Sequence, residues 1–125
     1  MAAHALVLLP PERIAAADSA CWHDWLTPEE ISFSRGFRRA HEHLAARKAA
    51  KLAVASLLDV AADPGFCRAV GVLRAPGSGP VIRLGGALGE LLGTRALPHP
   101  RVSLTHARGH AAALAWLPVP KAGGR

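Results

Sequence analysis

Arg39, His43, Arg47 and Lys51 recur every four residues, a spacing that lays four basic groups along one ridge of a helix. Like charges at this spacing repel by about a few tenths of a kcal/mol per pair on a bare helix. An anion lying along the ridge removes that penalty. A phosphate ester suits it, because guanidinium and ammonium groups each offer several charge-assisted donors. The same spacing also fits a solvated basic face. Further along, His106 and His110 flank Ala107-Arg108-Gly109. Imidazole titrates near neutral pH, so either histidine is a candidate general acid–base; a histidine at a strand end serves equally as a satisfied polar residue. His41 and His43 lie two apart and do not face each other on a helix, which argues against a zinc pair. The chain has no Gly-x-Ser-x-Gly elbow, Walker-type phosphate loop or His-Glu-x-x-His pair. Cys21 and Cys67 are distant and outside any Cys-x-x-Cys pattern, so neither a disulfide framework nor a structural zinc knuckle is expected.

The basic ridge falls within the strongest helical signal of the chain. Ala40 to Leu58 is alanine-rich, free of Gly and Pro, and ends before Asp59 and the Asp63-Pro64-Gly65 turn. Thr27-Pro28-Glu29-Glu30 forms a helix start, with a capping threonine, proline in the first turn and Glu30 three residues after the cap. Ala5 to Leu9 is an apolar run stopped by Pro10-Pro11 and predicts a strand buried on both faces. Glu12 to Ala20 has helix-forming composition. In the second half, Val70–Arg74 and Val81–Leu84 predict a hairpin around Ala75-Pro76-Gly77-Ser78-Gly79-Pro80. Gly85–Leu92 reads as a short helix. Val102–His106 and His110–Trp116 read as two more strands, with a frayed tail from Pro118. Strand, then helices, then strands describes an α+β domain. Without a repeat, linker or low-complexity block, residues 1–120 form one domain and 121–125 a tail.

Half of the 125 residues are hydrophobic and 19% are charged, which suits a single packed domain and excludes intrinsic disorder. Fifteen Lys and Arg against nine Asp and Glu leave a net charge of +6. That excess predicts an acidic or phosphorylated partner. Aromatic residues are only 5%, tyrosine is absent, and no nucleic-acid docking motif accompanies the charge, which argues against a nucleic-acid partner. No stretch reaches the roughly 18 apolar residues of a membrane span. The N-terminal apolar run lacks a basic region before it and is broken by prolines, unlike a signal peptide. The expectation is a soluble cytoplasmic domain with no membrane partner.

Three segments together resemble the small holo-acyl-carrier-protein synthases, the short branch of the 4'-phosphopantetheinyl transferase superfamily. Glu12-Arg13-Ile14 closely follows the first strand. His43-Leu44-Ala45-Ala46-Arg47-Lys48-Ala49-Ala50-Lys51 is similar to the family's Leu-Ala-x-Arg-Phe-Ala-Ala-Lys-Glu-Ala helix. Val102-Ser103-Leu104-Thr105-His106, followed by a turn and an alanine-rich strand, is similar to its Val-Ser-Ile-(Ser/Thr)-His segment. Gly77-Ser78-Gly79-Pro80 sits where members carry an Asn-Gly-Lys-Pro-like hairpin. Order, spacing and length agree over almost the whole chain. The resemblance implies a long helix packed on a small, mostly antiparallel sheet. It also implies a homotrimer, with each active site between subunits.

Such enzymes move phosphopantetheine from coenzyme A to a serine of an acyl carrier protein, using magnesium held by two acidic residues. The resemblance puts those two positions at Val7 and Leu52, and apolar side chains cannot coordinate a hard cation. The family lysine one turn beyond falls at Ser56, and Pro10 replaces acidic support after the first strand. Arg47, Lys51 and His106 match residues around the phosphates of coenzyme A, and Arg13 matches a basic residue that docks the carrier protein. The expectation is therefore a divergent member that retains recognition of coenzyme A, a phosphopantetheine arm or acyl carrier protein without magnesium-dependent transfer. If such a member is catalytic, His106 or His110 serves as general acid–base on a carrier-tethered polyketide or fatty acyl chain, in a cyclisation or dehydration. An active synthase with an unfamiliar metal site and a non-enzymatic carrier-binding pseudoenzyme are the two alternatives.

Overall fold

The computed structural model describes residues 4–74 and 79–118. Strand β1 (His4–Leu9) leads through a short 3-10 turn at Pro11–Arg13 and a second at Ala20–Asp24 into helix α1 (Pro28–Arg35). Helix α2 (Ala40–Leu58), helix α3 (Pro64–Ala69), strands β2 (Val70–Arg74) and β3 (Pro80–Leu84), and helix α4 (Gly86–Thr94) follow. Strands β4 (Arg101–Ala107) and β5 (His110–Trp116) complete the α+β fold. All strand pairs are antiparallel: β1, β5 and β4 form one sheet in that order, and β2 pairs with β3 in a second. No helix among the described residues is long and apolar enough to cross a membrane.

Helix α2 spans the residues its composition predicts and packs on all three strands of the larger sheet. Its alanines at 45, 46, 49, 50, 53 and 55 are buried, as are Ala111, Ala113 and Ala115 of the central strand β5. Small side chains on both surfaces let helix and sheet approach closely, while Leu44, Val54, Leu57 and Leu58 fill the flanks. The helix stops because Asp59 adopts a left-handed conformation (φ 58°), from which its N–H reaches the carbonyls of Ala55 and Ser56. Helix α1 starts at the predicted capping box: Thr27 Oγ1 accepts from Glu30 N–H, and Glu30 Oε1 accepts from Thr27 N–H at 2.8 Å.

Three expectations change. Strand β1 is not buried on both faces. It lies at the sheet edge with α2 against one side, so Ala5, Val7 and Leu9 turn inward while Leu6 and Leu8 stay 70% and 60% exposed. Glu12–Ala20 does not form a helix; its opening turn has Pro10 at the cap and no side-chain acceptor. The segment is instead held by tertiary bonds, including Trp22 Nε1 to Ala16 O at 2.9 Å. The predicted 63–65 turn opens helix α3, capped by Asp63 accepting from Phe66 N–H at 2.8 Å. The predicted hairpin strands pair as expected, while its connecting residues 75–78 and the 121–125 tail lie outside the described residues.

Candidate functional site

Helix α1 closes at Gly36 and α2 opens at Ala40, so Phe33, Phe37 and His43 meet around one corner. The Phe33 and Phe37 rings contact edge to face with centroids 5.1 Å apart. Phe37 stacks on His43 at 3.9 Å and 12°, and His43 meets His106 at 4.3 Å with a 54° tilt. The Arg47 guanidinium lies 4.7 Å from the Phe33 centroid and donates to His43 O at 3.3 Å. Together with Arg74, Leu104 and Thr105, these side chains line an open pocket of about 320 Å³. A smaller adjoining hollow of about 200 Å³ shares Phe33, Arg47 and Arg74, and is completed by Glu29, Glu30, Val72 and Leu73.

The titratable groups lining the larger pocket are two arginines and two imidazoles. Burial lowers the proton affinity of Arg47, which Glu30 partly offsets, yet a guanidinium remains charged at any physiological pH. Burial, followed by the nearby His106 and Arg47, also lowers the pKa of His43. A rigid aromatic wall with fixed cations suits a phosphate ester attached to a flexible arm.

His106 is held by a residue that sequence reading did not single out. Glu42 is buried at the start of α2, and its Oε1 lies 2.9 Å from His106 Nδ1. Its Oε2 accepts from Gly109 N–H at 2.6 Å and Arg39 at 3.2 Å. The hydrogen bond from His106, helped by those from Gly109 and Arg39, overcomes burial and holds the carboxyl down at about 2. An ionised carboxylate only accepts, so Nδ1 of His106 carries a proton, and in the neutral tautomer the lone pair is on Nε2. The turn beyond is equally constrained. Arg108 and Gly109 have φ of 52° and 81°, the geometry of a tight two-residue hairpin loop. A Cβ on Gly109 would come within 3.2 Å of the Pro11 ring.

The ridge does not remain on one solvated face. Arg39 is 63% exposed at its outer end and pairs with Glu42. Arg47 reaches the pocket. Lys51 does not, contrary to its expected ligand role. Its side chain is fully buried, and Nζ donates to Glu30 Oε1 at 2.6 Å, Cys67 O at 2.7 Å and Trp25 O at 3.1 Å. An ammonium has three protons, and all three are engaged. His110 is exposed outside the larger pocket and contacts Arg108 O at 3.1 Å. It lines a second groove with Leu8, which shares Thr105 and His106 with the larger pocket. Arg13 is exposed on the first 3-10 turn.

Val7 and Leu52, at the positions where the resemblance implies magnesium ligands, are partly buried and packed against the hydrophobic core. That donor set does not fit magnesium, which takes oxygen ligands. Among the described residues, no group of three or more His, Cys, Asp and Glu side chains is placed to share a metal ion. Glu42 is the carboxylate nearest His106, and its two oxygens are already committed to the protein.

Phe33, Phe37, Arg74, Glu30 and Glu42 escaped the sequence reading as site residues. The phenylalanines lie four apart, Phe37 within the arginine-rich run Arg35-Gly36-Phe37-Arg38-Arg39, a weak aromatic signal. Glu42 adjoins the resembled helix segment as an isolated acid among basic residues. Arg74 carries no local signal, because only the β2–β3 pairing brings it to the pocket.

No protein-family model and no curated protein matches the chain. Solved structures do. The chain is similar to the acyl carrier protein synthase of Mycobacterium tuberculosis at 33% identity, covering 94% of this chain and 97% of that one, with a TM-score of 0.63. It is also similar to the holo-acyl-carrier-protein synthase of Neisseria meningitidis at 20% identity, covering 94% and 98%, with a TM-score of 0.78. The Helicobacter pylori holo-acyl-carrier-protein synthase, solved in complex with coenzyme A, is 19% identical over 92% and 99% of the two chains, with a TM-score of 0.73.

Proposed function

Because the chain belongs to the holo-acyl-carrier-protein synthase family, we propose that it recognises a phosphopantetheine arm, on coenzyme A or acyl carrier protein, without transferring it through magnesium. It acts instead on a carrier-tethered acyl chain by acid–base chemistry, of cyclisation or dehydration type. The observation that carries this reading is a basic, aromatic-walled pocket in a chain whose two implied metal positions hold Val7 and Leu52.

In this reading Arg47 and Arg74 anchor the phosphate, and the arm runs toward His106. Nε2 of His106 takes a proton from the carbon beside the thioester carbonyl, and Glu42 stabilises the resulting imidazolium through Nδ1. The imidazolium returns that proton to a departing β-hydroxyl. One C–H and one C–O bond break, an alkene forms, and water leaves with the protein unchanged. Arg13, exposed and basic, is proposed to meet the acidic surface of the carrier protein.

A second reading, an active synthase, draws on the 33% identity to the Mycobacterium tuberculosis synthase over nearly the full length of both chains. Incubation with apo acyl carrier protein, coenzyme A and magnesium, read by intact mass, separates the two. The expected outcome is no mass gain on the carrier, together with saturable coenzyme A binding by calorimetry. A rapid gain of one phosphopantetheine overturns the first reading and establishes the second.

The proposed assembly is a homotrimer. Leu6 pairs across the sheet with Leu114, and Leu6, Leu8 and Leu114 leave an apolar face open to solvent on a single copy. Burying a leucine side chain is worth about 1.5–3 kcal/mol, and further copies of the chain would cover this face. Light scattering at micromolar concentration is expected to give three times the chain mass; a stable monomer counts against it.

A further inference from the structure

His43 differs from Arg47 and from the pocket's other histidine, His106. Arg47 has a carbonyl partner and His106 has Glu42, whereas among the described residues neither ring nitrogen of His43 has a hydrogen-bond partner. Its ring is clamped face to face on Phe37 at 3.9 Å and lies 4.3 Å from His106. The clamp fixes the plane of the imidazole while leaving both nitrogens for something that enters the pocket. Phe33 and Leu104, the apolar parts of the wall, offer them nothing.

We propose that His43 is a proton-linked phosphate ligand of this pocket: its ring takes up a proton when a phosphate oxyanion enters, and the imidazolium donates to that oxyanion. This rests on reading the pocket as a phosphopantetheine site. The charged groups facing the ring are Glu42 and Arg47 from its own helix, His106 from β4 and Arg74 from β2. Burial and the neighbouring His106, Arg47 and Arg74 all oppose a positive ring in the free protein; Glu42 alone favours it. The free protein therefore disfavours the charged form of His43 until an anion arrives. An entering phosphate reverses the balance twice, by neutralising the arginines and by supplying an acceptor for the new N–H. The Phe37 face beneath the ring adds a favourable cation–π contact to the charged form. An arginine at this place would hold a permanent charge against Arg47 and Arg74; a histidine carries it only when the ligand is present.

The test is calorimetric titration with coenzyme A between pH 6 and pH 8, in buffers of different ionisation enthalpy, for the wild type and His43→Phe. The phenylalanine retains the stack on Phe37, and the ligand's own titration is common to both proteins and cancels in the comparison. Each unit by which the ligand raises the His43 pKa corresponds to tenfold in affinity. Wild-type affinity is expected to fall about tenfold more across this range than that of His43→Phe, and proton uptake is expected to be smaller in the variant. Parallel titration with holo acyl carrier protein shows whether the phosphodiester of the tethered arm suffices or the phosphates of free coenzyme A are required. Equal pH slopes and equal proton uptake in the two proteins overturn the inference while leaving the pocket reading intact. Absence of coenzyme A and holo-carrier binding by the wild type overturns both.

Discussion

Lys51→Met lowers the unfolding free energy by about 3–5 kcal/mol, because it strands the buried Glu30 carboxylate without its counter-ion. Nζ of Lys51 joins four parts of the chain: its own helix α2, Glu30 in α1, the Trp25 carbonyl ahead of α1, and the Cys67 carbonyl in α3. Glu30 extends the knot by accepting from Val72 N–H at 2.7 Å in β2. Methionine fills much of the same volume, so loss of the charge and its three hydrogen bonds dominates over cavity formation. Burial opposes the lysine's charge while Glu30 favours it, and the net shift of Lys51 is downward. The pair therefore costs desolvation to assemble and is expensive to break, rather than being a simple source of stability. Urea unfolding of Lys51→Met, Glu30→Gln and the double variant checks this. The double variant is expected to be less destabilised than the sum of the singles, since it removes the stranded charge. Wild-type stability in Lys51→Met, accompanied by weakened coenzyme A binding, would instead put the lysine in the ligand site.

Arg47→Ala weakens coenzyme A binding by about ten- to a hundredfold, the range for a lost charge-assisted contact of about 1.5–3 kcal/mol. Arg39→Ala, at the exposed end of the same ridge, changes it little, because Arg39 lies outside the pocket lining and its guanidinium is paired with Glu42. The contrast isolates the pocket from the net charge of the protein, since both variants lose one positive charge. Arg47→Lys should recover only part of the affinity: the ammonium keeps the charge but loses the planar fork and the stack over Phe33. Calorimetry on variants with unaltered circular dichroism is the measurement. Equal coenzyme A affinity in Arg47→Ala and Arg39→Ala would mean that attraction is diffuse and the pocket holds no phosphate.

The legible parts of this chain are those whose signals are local. The bounds of α2 follow from nineteen residues without Gly or Pro, and the start of α1 from a capping box contained within four. The two C-terminal strands follow from the runs Val102–His106 and His110–Trp116 on either side of Ala107-Arg108-Gly109. The 4'-phosphopantetheinyl-transferase-like fold was accessible because helix and strand motifs keep their order and spacing along the chain. Strand β1 departs from expectation because an apolar run looks the same at the centre of a sheet and at an edge with one face exposed.

A period of four placed Arg39, His43, Arg47 and Lys51 on one ridge, and the sequence alone determines that much. Their separate fates were decided by tertiary structure. The ridge runs from solvent into the interior, so Arg39 stays out, Arg47 meets Phe33, and Lys51 finds Glu30 twenty-one residues away. The tautomer of His106 is decided in the same way, by a carboxylate sixty-four residues distant. Helical periodicity is a property of the backbone and can be read one turn at a time. The dielectric around a charge, and the partner it meets, exist only once α1, α2 and both sheets have packed together.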